Sequence, residues 1–143
     1  MSINNRQMFL INTVEPDDVL GIFRKIESQT VELSPFLSSS EQLACYYDLL
    51  NCDLIDITSR QIGANYYDII CDDEGLLKSN HHITLWKQKE PELVGNLLIT
   101  KYDKMGNNIG LTKTEIIQLK SNLKKIRYSQ INSTKIYLAY THK

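Results

Sequence analysis

The sequence predicts a single α+β domain, a mostly antiparallel sheet with about three helices. Two capping boxes, each leading into an apolar stripe at helical spacing, predict helices. Short β-rich runs bounded by Gly, Asn and Asp predict strands. The length, 143 residues, fits one domain over 1–143 that buries roughly 70% of its unfolded surface. A core of that size needs no disulfide or zinc staple.

Residues 7–13 are short and mostly apolar, which predicts a first strand. Pro16 then stands at a first helical position, Asp17 and Asp18 fill the first turn, and Arg24 and Lys25 lie near the last. That order suits the helix dipole. With Val19, Ile22, Phe23 and Ile26 on one face, the spacing predicts a helix over 16–27. Residues 29–33 read as a short strand ended by Ser34-Pro35.

Ser38 and Glu41 have capping-box spacing, and Leu43, Tyr46, Tyr47 and Leu50 then line one face of a helix over 39–50. Two partly alternating strands follow, 53–59 and 66–71, around the turn-prone 61–65. Asp72-Asp73-Glu74-Gly75 predicts a hairpin turn into Leu76-Leu77. Residues 93–102 are the best candidate for a strand buried on both faces at its centre, and 103–110 form a polar turn. Thr112 and Glu115 repeat the capping box, with Ile116, Leu119, Leu123 and Ile126 as the core stripe of a third helix. Residues 135–140 close the chain as a strand.

The composition narrows the function classes. Three cysteines without a CxxC pair, Cys45, Cys52 and Cys71, suit a reducing cytoplasm and are most simply buried apolar residues. Residues 1–6 lack the apolar core of a secretory signal, and no apolar run is long enough to span a membrane. The expected location is cytoplasmic. The six glycines never fall into GxGxxG or GxxxxGK[ST], and GxSxG and HExxH are absent. His81 and His82, being adjacent, are poorly placed to share a metal on either a helix or a strand. The acids of 72–74 lack calcium-loop spacing. The expectation is a protein with no catalytic residue, no metal and no cofactor.

Charge placement says more than the net charge of −1. Residues 1–110 carry 9 Lys/Arg against 16 Asp/Glu, a net of −7, while 111–143 carry 7 against one, a net of +6. Either the two segments pair within the fold, or they face an electrostatic partner. On a continuous helix Lys113, Lys120, Lys124 and Arg127 fall within about 60° of one another. This basic stripe, with Tyr128 and with Tyr137 and Tyr140 nearby, suits a solvated face, a protein interface or a nucleic-acid strand. The candidate acidic patch is Asp53, Asp56, Asp68, Asp72, Asp73 and Glu74, which could mimic phosphates against a cationic groove.

From about 51 to 112 the order of features resembles a small domain family of unknown function carried by phages, plasmids and other mobile elements. Carrying the resemblance are Ile69-Ile70 before Asp73-Glu74-Gly75-Leu76-Leu77-Lys78, then Asn80, Val94-Gly95-Asn96-Leu97-Leu98-Ile99, Asp103 with Gly106, and Leu111-Thr112. The 16–27 segment and the basic tail look like additions to it. The resemblance implies a mobile-element origin and no catalytic residue or cofactor. The expected function is a non-enzymatic binding protein that inhibits a bacterial host-defence factor in the manner of an anti-CRISPR protein, with a CRISPR effector nuclease as partner. Two alternatives stay open: nucleic-acid binding through the C-terminal stripe, and sequestration of a nucleotide signal.

Overall fold

The computed structural model describes residues 5–14, 23–78, 82–88, 90–129 and 136–143. Among them are nine strands and two helices: β1 (Arg6–Val14), β2 (Phe23–Leu33), α1 (Ser39–Leu50), β3 (Ile55–Ile62), β4 (Asn65–Asp72), β5 (Ile83–Lys87), β6 (Glu90–Val94), β7 (Leu97–Thr100), α2 (Lys113–Asn122), β8 (Lys124–Ser129) and β9 (Ile136–His142). The sheet runs β3-β4-β7-β1-β2-β9-β5-β6, with β8 on β9. Most neighbours are antiparallel, and β9 runs parallel to β2 and to β5. One edge of β9 carries β8 along Ile136–Thr141. The other edge is divided, with β2 at Ile136–Tyr137 and β5 at Tyr140–His142.

Side-chain alternation explains the layering. Met8 and Leu10 of β1, Ile70 of β4 and Leu98 of β7 point to one face, where they bury Tyr46 and Leu50 of α1. Their neighbours Phe9, Ile11, Tyr67, Ile69, Leu97 and Ile99 point to the other face, against Ile116 and Leu119 of α2 and Leu85 and Ala139 of the far strands. The central strands are thus sandwiched, and all four residues of β7 are buried, as the apolar run at 93–102 predicts. The run is not one strand, however. Gly95 (φ +77°) and Asn96 form a corner between β6 and β7, held by a bond from Gly95 N to His82 O (2.9 Å) and one from Thr13 N to Asn96 Oδ1 (3.1 Å).

Both capping boxes form. Ser38 Oγ accepts from Glu41 N (3.2 Å) and Thr112 Oγ1 from Glu115 N (3.1 Å), while each glutamate accepts from the cap amide. Tyr46 and Leu50 are buried as the spacing predicts, but Leu43 is exposed.

Three expectations need correction. The helix placed over 16–27 lies partly outside the described residues, and 23–27 is strand, because β2 pairs with β1 from Val14↔Lys25 to Arg6↔Leu33. Nine consecutive cross-strand pairs outweigh a helical apolar stripe. The third helix ends at Asn122, and 124–129 is strand β8, satisfied by six pairs with β9. Leu123 still reaches the core, and Ile126 packs against it from β8. Finally, Asp72–Gly75 does not make a hairpin: it leads into a single 3-10 turn, Gly75–Leu77, after which β5 joins β6 and β9.

Candidate functional site

The basic stripe does not survive folding. Lys113 and Lys120 lie on α2, Lys124 and Arg127 on β8. An offset of three on a strand puts the last two on opposite faces. Tyr128 is on β8, with its side chain outside the described set, as is that of Tyr137. Tyr140 is buried, its hydroxyl donating to Ser28 Oγ at 3.1 Å, so it offers no stacking face. Across the two charge segments Lys101 pairs with Glu115, a basic residue of the acidic segment with the acid of the basic one.

Most of the acidic residues do gather. β3 and β4 form a hairpin whose open end pairs Ile55 with Asp72 and Asp56 with Cys71. Asp53 precedes this end, and Asp73 and Glu74 follow it, tied back by a bond from Asp73 N to Leu54 O (3.0 Å). Asp53, Asp56, Asp73 and Glu74 are exposed. Asp72 is engaged, pairing with Lys78 and accepting from Glu74 N at 2.9 Å. The bond from Asp72 holds the Lys78 ammonium above its ordinary pKa. Asp68 is not part of the cluster: it lies four residues along β4, about 13 Å away. There it accepts from Ser59 Oγ (2.9 Å) and Tyr102 N (2.8 Å).

Three residues that charge patterning does not single out complete this end of the molecule. Leu54, Leu76 and Leu77 are 50%, 72% and 82% exposed, beside the acids and in short segments where an apolar chain has no core to enter. Asp48, at the end of α1, borders the same region through a recess shared with Asp53 and Lys78. The acid-flanked leucines were visible in the sequence only as turn residues.

A second polar assembly lies at the seam where the rolled sheet nearly closes. Arg60 Nε of edge strand β3 meets Glu92 Oε1 of edge strand β6 at 2.5 Å, and Glu92 Oε2 meets His142 Nε2 of β9 at 2.8 Å. The three side chains are 30%, 11% and 1% exposed. Glu92 also lines a small cleft of about 180 Å³ with Asp56, Cys71 and Asp73. Burial, and next the Asp56 charge, push the Cys71 thiol up to about 11, and its Sγ contacts Asp56 O at 3.7 Å. A protonated thiol so placed is no nucleophile near neutral pH. No spacing rule could have joined Arg60, Glu92 and His142, which are far apart in the chain and meet only through topology.

Of the adjacent histidines, His82 is buried and His81 is outside the described residues. Among the described residues no three His, Cys, Asp or Glu side chains are grouped to hold a metal ion, and no helix is long and apolar enough to cross a membrane.

The model of a domain of unknown function, DUF3846, matches residues 15–124. The chain belongs to the DUF3846 family. The match takes in the acidic, leucine-bearing end, Arg60, Glu92 and α2, and stops where β8 begins. It also takes in 16–27, so that segment is no addition to the DUF3846 domain, while most of the basic tail lies beyond it. No curated protein and no solved structure matches the chain.

Proposed function

We propose that this DUF3846 protein acts by binding rather than by catalysis, and that its acidic, leucine-bearing end docks on a basic protein surface. The observation that carries the reading is the exposure of Leu54, Leu76 and Leu77 among Asp53, Asp56, Asp73 and Glu74. Large apolar side chains left in water beside one another mark interaction surfaces. A ring of like charge around them selects the partner's sign and speeds encounter. A basic surface with apolar contacts is what a nucleic-acid-handling protein presents when its nucleic acid is absent. The concrete form of the proposal is a mobile-element protein that occupies such a groove on a bacterial host-defence factor, a CRISPR effector nuclease being the model partner.

The test is phage plating on cells with active CRISPR interference, paired with cleavage assays on purified effector nucleases. Expression of the protein is expected to restore plating and slow cleavage, and Leu76→Ser with Leu77→Ser to abolish both without lowering Tm. Undiminished interference and cleavage across effector types would overturn the defence reading. Retention of activity by the double variant would overturn this face as the contact.

A further inference from the structure

A cleft of about 760 Å³ opens between the end of α2, the β3–β4 turn and the last residues of β9. Gly63 (φ +67°) makes that turn, and a Cβ there would stand 2.8 Å from Asn122 Cγ. The glycine thus lets the turn close on the end of α2 and form one wall. Asn122 is fixed by its own bond, Nδ2 to Gln118 O at 2.8 Å. The remaining polar lining comes from Ser121, Lys124, His142, Lys143 and Gln88. The volume lies within the range of small-molecule sites.

His142 gives the cleft its chemical direction. Its side chain is 1% exposed, and its Nδ1 is buried with no hydrogen-bond partner. Buried polar atoms in folded proteins are nearly always bonded, so such an orphan points to a missing partner. The other ring nitrogen is committed. A carboxylate oxygen only accepts, so Nε2 carries the proton it gives to Glu92, and Nδ1 of the neutral ring is an acceptor. The charge of Glu92 is met by Arg60 behind it, which leaves Lys124 and Lys143 as the charges facing the cleft. The lining therefore asks for a ligand with an anionic group for the ammoniums and an O–H or N–H for Nδ1.

We propose that this cleft binds a small phosphorylated compound bearing a hydroxyl or ring N–H donor, a nucleotide being the simplest molecule with both. Lys124 and Lys143 take the phosphate, and His142 Nδ1 accepts from the sugar or base. The site is separate from the leucine-bearing end and does not depend on the docking proposal.

The probes are AMP, ribose 5-phosphate, inorganic phosphate, adenosine and a short single-stranded oligonucleotide, titrated into the full chain and followed by NMR. AMP is expected to move the His142 ring signals and the Ser121 and Asn122 amides. Lys124→Glu, at an exposed position, is expected to weaken AMP at least tenfold at unchanged Tm. Tighter binding of AMP than of ribose 5-phosphate assigns the base to the cleft. Equal binding of AMP, ribose 5-phosphate and phosphate assigns the phosphoryl group alone. Either result supports the site. The proposal is overturned if no phosphorylated probe binds, if the shifts map elsewhere, if adenosine matches AMP, if Lys124→Glu leaves affinity unchanged, or if the oligonucleotide binds tenfold tighter than AMP.

Discussion

Arg60 and Glu92, the first on β3 and the second on β6, lie 2.5 Å apart and tie together the two ends of the sheet. Unpaired edges invite pairing with other chains unless they are blunted. Here the two edge strands face each other across an ion pair instead of a hydrogen-bonded ladder. Arg60 is itself anchored, its Nη1 donating to Ser59 O at 2.8 Å.

Arg60→Ala is expected to cost about 1–3 kcal/mol, less than the 3–5 typical of a fully buried pair because the guanidinium is partly solvated. Glu92 would keep only His142. Hydrogen exchange at β6 amides is expected to speed up more than at β7, whose residues are central and buried. Equal change at both strands would mean that the pair supports the whole fold and not the seam.

Asn108 is the polar centre of the α1 side. It is buried, its Nδ2 donating to Tyr46 Oη (2.6 Å) while its Oδ1 accepts from Thr100 Oγ1 (3.0 Å) and Gly110 N (2.8 Å). The Tyr46 hydroxyl in turn lies 3.1 Å from that of Tyr102, and burial, then this contact, push the Tyr102 phenol far above its ordinary pKa. Asn108→Leu strands at least two buried polar groups, so a loss of roughly 2–4 kcal/mol is expected in denaturant unfolding. A loss below about 1 kcal/mol would show that water replaces the carboxamide.

Acid is expected to destabilise the fold through three carboxylates held below their ordinary range. Burial alone would raise Glu115, but Lys101 and the Thr112 amide bring it down. The Ser38 amide lowers Glu41, and the Asn107 amide lowers Asp103. In each case the folded pKa lies below the unfolded one. The stability they add is therefore complete above the unfolded value, about 4, and is lost as pH falls through the folded values. Tm should stay level from pH 7 to 5 and drop below about 4.5. Glu115→Gln keeps a capping acceptor but loses the charge, so it should lower Tm by roughly 2–4 °C at pH 7 and flatten the acid limb.

What the sequence revealed follows from the range of the forces involved. Both helix starts were legible because a capping box is closed within four residues, as at Ser38–Glu41 and Thr112–Glu115. The burial of β7 was legible because a strand covered on both faces must be apolar throughout. Residues 23–27 and 124–129 were misread as helix because their apolar positions satisfy helical spacing, while the deciding partners, β1 and β9, lie elsewhere in the chain. The basic stripe failed with the second of these. The acidic end was half legible: Asp53, Asp56 and Asp73-Glu74 are drawn together by the β3–β4 pairing, whereas Asp68 is removed by that same register.

The cysteines give a test of burial that needs no partner. Cys71 is pushed up to about 11 by burial and then by Asp56, so at pH 8 about one thiol in a thousand is ionised there. Burial, and next the Asp72 charge, raise Cys52 as well. Cys45 sits half-buried on α1. In the native protein at pH 8, DTNB should release one thiol quickly and two slowly, and all three at once in denaturant. Cys45→Ser should remove the fast phase. A fast phase that persists in this variant would place Cys52 or Cys71 in solvent, contrary to the packing of α1 and β4 against the sheet.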